Sequence, residues 1–216
     1  MIPRLLVITP PMGPVPRTVV DVALEHGIDL AVLLREPAGD PLEPRGRLET
    51  LRRAAVDAGL PVLLSCAAAE LDRVVGPAAD AGLCGLQLKG DPSEEALLRA
   101  RAAWPEAIVG ASVHGEPRAV AADYLVFAPV FAPRTASAWR KQAAGVAALG
   151  AWARWGRVFA LGGVEPDNAA ACVAAGAYGL AAISSFLGSA EALAHTVRAF
   201  ARALTLRPDV PPQTRG

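Results

Sequence analysis

Short apolar runs alternate with longer Ala-rich amphipathic segments along the whole chain. Residues 5–8, 30–34, 61–64, 85–88, 108–111, 124–127, 158–161 and 179–183 are almost wholly apolar. Runs this short without polar alternation suit strands buried on both faces, as in a parallel sheet. Between them, helical spacing predicts helices over 16–26, 45–58, 68–81, from Pro92 or Ser93 to Trp104, 117–121, 146–154, 169–175 and 190–204. Gly27, Gly59 and Gly176 stand where three of these helices should stop. Gly76-Pro77 is a point at which the third helix is expected to break or kink.

Eight strand–helix repeats in 216 residues favour a closed (β/α)₈ TIM barrel, in the α/β class, over an open doubly wound sheet. The barrel is expected to span residues 1–205, with 206–216 a frayed tail. No GxGxxG follows the first strand and no GxxxxGK[ST] occurs, which removes the main signs of a nucleotide-binding open sheet. The densest information lies at 158–186, which reads as strand, glycine turn, helix, strand, serine turn. Gly162-Gly163 and Ile183-Ser184 follow adjacent strands, where barrels often bind phosphate. Glycine lets backbone N–H groups approach an anion and serine adds a hydroxyl. The alternative for Gly162-Gly163 is a tight turn and nothing more.

Composition narrows the function. The chain is 53% hydrophobic and 19% charged, ample for a large core. Twenty-one basic residues balance 21 acidic ones, which argues against a nucleic-acid partner. No apolar run approaches the roughly 20 residues of a membrane span, and residues 5–9 read as a strand rather than the core of a signal peptide. Cys66, Cys84 and Cys172 are odd in number and far apart, so reduced thiols and a cytoplasmic location are expected.

Residues 110–131 (GASVHGEPRAVAADYLVFAPVF), 160–169 (ALGGVEPDNA) and 175–186 (AGAYGLAAISSF) are similar to the thiamin phosphate synthase and TenI superfamily. LLVITP (5–10) and VLLREP (32–37) resemble that family's first two strand ends more weakly. The resemblance implies a barrel binding a thiazole phosphate at its C-terminal mouth, with Gly163 and Ile183-Ser184 on the phosphate. The partner it implies is that small phosphorylated thiazole; a homodimer is compatible with it, and no nucleic acid or membrane is implied.

The departures separate the branches of the family. Synthases carry Asn-Asp-Arg after the third strand, and this chain has Ser65-Cys66-Ala67. Where they have His-Leu-Gly-Gln and then acidic residues, it has Gln87-Leu88-Lys89-Gly90-Asp91. The Gln and Lys flanking the second-strand Arg are Leu34 and Pro37, and a Thr-Pro-Thr-Lys loop is Pro133-Arg134-Thr135-Ala136. Synthase chemistry joins a pyrimidine pyrophosphate to the thiazole phosphate with Mg²⁺, which wants carboxylate oxygens. Asp91 alone is left for that role, beside Lys89. The pattern resembles TenI-type thiazole tautomerases, which aromatise a thiazole phosphate carboxylate by moving a proton and use no metal. In that branch a His after strand five is the acid–base residue, and His114 matches it. A histidine can take and give a proton near neutral pH; its plain alternative is a polar loop residue. Three readings stand: the tautomerase, a divergent Mg²⁺-dependent synthase using Asp91 with Glu70 or Asp72, and a non-catalytic phosphate-binding barrel.

Other positions stay open between two readings. Arg35 either binds a substrate carboxylate or pairs with Glu36 on the rim. Gln87 and Ser112 either orient the heterocycle or, for Gln87, cap the barrel interior. Lys89, Arg134 and Lys141 read as solvated, the last two on a 132–142 loop whose closure over the site the sequence leaves open. His26 and His195 read as surface, and the tryptophans as packing, except Trp139 on that loop.

Overall fold

The computed structural model describes residues 2–10, 17–36, 40, 42–43, 46, 48–132 and 142–205. Eight parallel strands close in sequence order into one barrel. They are β1 (Leu5–Ile8), β2 (Leu30–Leu34), β3 (Val62–Cys66), β4 (Gly85–Leu88), β5 (Ile108–Val113), β6 (Tyr124–Phe127), β7 (Val158–Ala160) and β8 (Gly179–Ala182). Seven α-helices are described: α1 (Thr18–Glu25), α2 (Glu49–Asp57), α3 (Leu71–Asp80), α4 (Glu94–Ala103), α5 (Gly145–Ala153), α6 (Ala169–Ala174) and α7 (Ala190–Thr205). The expected 206–216 tail lies outside the described residues.

Strand alternation sorts the side chains into two cores. Leu6, Ile8, Ala31, Leu33, Leu63, Tyr124, Val126, Phe159 and Ala181 fill the barrel interior. The opposite faces of the strands pack on the helices in a larger, separate layer. Inside, Phe159 meets Tyr124 and Tyr178 edge-on, with ring centroids 5.4 and 5.5 Å apart. Gly110 and Gly179 make room for these rings. An added Cβ at Gly179 would lie 2.5 Å from the Phe159 ring, and one at Gly110 would overlap Tyr124 and the Gln87 amide oxygen.

The barrel closes where β1 meets β8, Leu5 opposite Leu180. Arg4 staples this seam: Nε donates to the Tyr178 carbonyl and Nη1 to the Leu204 carbonyl, both at 2.8 Å. Tyr178 returns the contact, its hydroxyl donating to the Ile2 carbonyl at 2.6 Å.

Among the differences from the sequence expectation, three bear on the layout of the barrel. No helix forms over 117–121. Only residues 114–123 separate β5 from β6, fewer than the dozen or so a helical crossover needs. The connection runs without regular structure instead, tightened by the Ala122 N–H donating to the Val120 carbonyl at 2.8 Å, with Val120 and Ala122 packed on the core. The helical layer is filled there by Trp152 of α5, fully buried, whose Nε1 donates to the Gly115 carbonyl at 3.2 Å and whose ring lies under Arg118. Second, α3 runs unbroken through Pro77 after a 3₁₀ turn over Ala68–Glu70. Proline deletes one N–H there, and the buried stripe of Leu71, Val74 and Ala78 packs the helix on both sides of it. Third, β5 runs on to Val113, because β6 pairs with it through Val113 opposite Phe127. This brings Ser112 into the sheet.

Candidate active site

The C-terminal ends of the strands form the mouth, where barrel chemistry is built. At the ends of β4 and β5 the backbone makes a sharp return. Gly90 (φ 74°) and Asp91 (φ 52°) are both left-handed, a conformation glycine adopts freely and aspartate tolerates better than most. The turn is tied to the neighbouring strand by the Asp91 N–H, which donates to the Ser112 carbonyl at 3.2 Å. Asp91 is thereby swung onto His114. One carboxylate oxygen accepts from the His114 backbone N–H at 2.7 Å, and the other lies 2.8 Å from His114 Nδ1. An ionised carboxylate only accepts, so it favours a hydrogen on Nδ1, which in the neutral ring leaves the lone pair on Nε2. Both side chains are partly open to solvent, 38% for His114 and 36% for Asp91. The sequence pointed to Asp91 only as a metal ligand; its pairing with His114 was missed. The available signal was a Gly-Asp step after one strand and a histidine after the next.

Beneath this pair lies a polar floor. Gln87 is 2% exposed and Ser65 is buried; they sit side by side in the β3–β4 register. Gln87 Nε2 donates to Ser112 Oγ at 3.1 Å. Among the described residues Gln87 Oε1 and the Tyr124 hydroxyl are buried without a hydrogen-bond partner, and burial pushes the Tyr124 phenol well above its usual range. Arg35 lies one residue past β2, in step with the inward-facing Ala31 and Leu33. Its backbone is clasped by Thr9: the Arg35 N–H donates to Thr9 Oγ1 at 2.7 Å, and that hydroxyl donates to the Arg35 carbonyl at 2.9 Å.

Across the mouth, Gly162 (φ 91°) and Gly163 (φ 60°) turn the chain after β7. A Cβ at Gly162 would lie 2.6 Å from Pro129 Cα, and one at Gly163 2.6 Å from the Ala132 carbonyl oxygen, so glycine is required twice over. Asn168 braces the turn, its Nδ2 donating to the Gly163 carbonyl at 2.8 Å while its Oδ1 accepts from the Glu165 N–H at 2.9 Å. Ser185 Oγ donates to the Val164 carbonyl at 2.9 Å and ties the β8 turn to the β7 turn. Among the described residues, the N–H groups of Gly162, Gly163, Ser184 and Ser185 make no backbone hydrogen bond. Ile183 packs, partly buried, against the barrel interior beside them.

The candidates thus fall into two groups: His114, Gln87 and Ser112 across β4–β5, and Gly162, Gly163, Ile183 and Ser184 across β7–β8. Arg35 stands just past the end of β2, apart from both. His26 and His195 are exposed on the helical side, His26 against Arg198. Arg134, Trp139 and Lys141 lie outside the described residues.

The carboxylates do not fit a Mg²⁺ cage. Asp91 already serves His114 with both oxygens. Glu70 accepts from the Ala67 N–H at 2.6 Å and pairs with Arg73 at 3.2 Å and Lys89 at 3.7 Å; that backbone bond, followed by the cations, holds its pKa down. Asp72 lies exposed on α3 against Arg99. Cys66 belongs to the layer between strands and helices, where burial and then Glu70 push its thiol up to about 11. Among the described residues no three His, Cys, Asp or Glu side chains cluster to hold a metal. No helix among them is long and apolar enough to cross a membrane.

Comparison with known proteins agrees with this architecture. A thiamine phosphate pyrophosphorylase from Pyrococcus furiosus is 25% identical, superposes with a TM-score of 0.70, and is covered to 96% by 94% of this chain. A thiamine phosphate pyrophosphorylase from Bacteroides thetaiotaomicron, 19% identical, gives 0.60, with 95% of this chain covering 100% of that one. The N-(5'-phosphoribosyl)anthranilate isomerase of Pyrococcus furiosus shares the fold at 12% identity and a TM-score of 0.66, over 94% of this chain and 98% of its own. No curated protein sequence matches the chain. The family model described as thiamine monophosphate synthase, TMP-TENI, matches residues 6–186. That span runs from the first strand to the serine turn after the last and takes in both halves of the mouth, so this chain belongs to the thiamine monophosphate synthase (TMP-TENI) family.

Proposed function

We propose that this chain is a TenI-type tautomerase that aromatises a thiazole phosphate carboxylate by proton transfer. One observation carries the reading. The carboxylate after β4 is engaged with His114 through both the backbone N–H and Nδ1, so that in the neutral ring Nε2 would be the nitrogen that acts as base. The phosphate would dock on the N–H groups of Gly162, Gly163 and Ser184, opposite His114. Gln87 and Ser112 would orient the ring from below, and Arg35 would face the substrate carboxylate. Nε2 then takes the proton leaving the ring, and the same proton is delivered to the exocyclic carbon. The net change is an isomerisation with no proton or electron gained or lost. Wild-type protein should convert thiazole phosphate carboxylate to its aromatic isomer in the presence of a chelator, the product being converted to thiamin phosphate afterwards by a separate synthase with excess Mg²⁺. Absence of turnover, with ligand still bound, favours a binding-only barrel.

A second reading, a divergent synthase, draws on the names of the relatives. It requires Mg²⁺ and a pyrimidine pyrophosphate to bind together. Calorimetric titration with both should give only weak, unsaturable heat. A saturable metal-dependent signal coupled to thiamin phosphate formation would reverse the ranking.

The phosphate anchor is tested best at Ser184, because any side chain at Gly163 also strains the turn. Ser184→Asp puts a carboxylate where the anion would sit. Affinity for thiazole phosphate should drop at least tenfold, about 1.4 kcal/mol, in a folded variant. An unchanged titration curve would remove Ser184 from the site.

A further inference from the structure

We propose that Asp91 is the positioning residue of this site, fixing the tautomer and the ring plane of His114. The inference rests on the reading of His114 as the proton carrier and adds a residue to it. Asp91 occupies a left-handed backbone conformation, φ 52°, found at no other non-glycine among the described residues. Left-handed geometry at a non-glycine residue is costly and persists where its surroundings demand it. Here the demand is visible: only this turn carries the carboxylate back from β4 to the end of β5. Its two oxygens then do separate jobs. One accepts from the His114 backbone N–H at 2.7 Å and holds the loop; the other meets Nδ1 at 2.8 Å and holds the ring. A carboxylate that only braced the loop would need the first contact alone.

The chemistry follows from the second contact. Neutral imidazole has one N–H, and a carboxylate beside Nδ1 keeps it there. In the neutral ring Nε2 is then the favoured lone-pair nitrogen. When Nε2 takes a proton, the ring becomes a cation 2.8 Å from a fixed anion, which stabilises the transferred state. Asparagine at the same position can still accept from the His114 backbone N–H and still tolerates the left-handed turn, yet its NH₂ can donate to Nδ1 and favour the opposite tautomer. Asp91→Asn therefore separates the two contacts.

The experiment uses the full chain labelled with ¹⁵N on histidine. At a pH where imidazole is neutral, long-range ¹H–¹⁵N spectra of the wild type should show His114 protonated on Nδ1. In Asp91→Asn that signature should be lost or mixed with the Nε2–H form. Turnover of thiazole phosphate carboxylate should fall by about tenfold or more with KM nearly unchanged, since Asp91 does not touch the phosphate turns. Asp91→Ala, which removes both contacts, should lose the tautomer as well and show a lower melting temperature than the Asn variant. An Nε2–H tautomer in the wild type, or the same tautomer in wild type and Asp91→Asn, overturns the proposal. So does a changed tautomer with unchanged turnover. A wild type without isomerase activity refutes the functional reading separately, and the spectra alone then decide whether Asp91 fixes the ring.

Discussion

His114→Gln should fold, bind thiazole phosphate nearly as wild type does, and isomerise the carboxylate about 10²–10⁴-fold more slowly. The fold should survive because the His114 side chain is 38% exposed at a strand end and forms no part of either core. Glutamine keeps the backbone N–H that donates to Asp91 and keeps a polar side chain, but has no group that titrates near neutral pH. Binding should survive because the proposed anion donors lie across the mouth on β7 and β8. The loss should therefore appear in kcat rather than KM, as expected when a group acts on the reacting atoms and not on a remote anchor. Turnover equal to wild type would assign the proton to another group. A large rise in KM instead would make His114 a binding residue.

Phe159→Ala should cost about 3–5 kcal/mol of stability, the usual range for deleting a buried phenyl ring. At roughly 2–4 °C per kcal/mol for a chain of this size, the melting temperature should fall by roughly 6–20 °C. Phe159 is fully buried inside the barrel and contacts two aromatic rings edge-on. Its neighbours cannot collapse into the gap: Tyr124 is pressed against Gly110, and Gly179 has no side chain to swing inward. The effect should reach the site as well, because Tyr124 and Gln87 share the space around Gly110. A thermal melt within 2 °C of wild type would mean the interior repacks freely, contrary to the interlocked rings.

The strands were legible because a barrel buries them on both faces, so each reads as a short apolar run with no competing signal. The glycine turn after β7 was legible for a different reason: its residue types are fixed by backbone conformation, Gly162 and Gly163 both being left-handed. The helix expected over 117–121 failed because local spacing carries no measure of how few residues bridge β5 to β6. Gly76-Pro77 does not break α3, since helix packing outlasts one missing N–H. The largest gap was Asp91. Its partner lies 23 positions away, and the contact exists only because an aspartate adopts a backbone conformation usually left to glycine. Residue type suggested a carboxylate looking for a metal; the turn gives it to a histidine. Placing Gln87 next to Ser112 likewise needed β5 to continue past Ala111, which depends on pairing with β6 and not on the residues of β5 themselves.

The seam stapled by Arg4 has a consequence for how the site comes into being. Leu5 meets Leu180, 175 positions along the chain, and closing a loop of that length costs roughly 4–5 kcal/mol in its logarithmic part alone. All other strand neighbours are consecutive along the chain, so this junction is the one least favoured by proximity and the one a growing chain can complete last. The two halves of the mouth fall on different parts of that sequence. The Asp91–His114 pair is complete once β4 and β5 exist, whereas the open N–H groups after β7 and β8 require the last strand. The residues of the Asp91–His114 half therefore leave the ribosome before those of the proposed anchoring half, and the two halves share one barrel mouth only when the seam shuts.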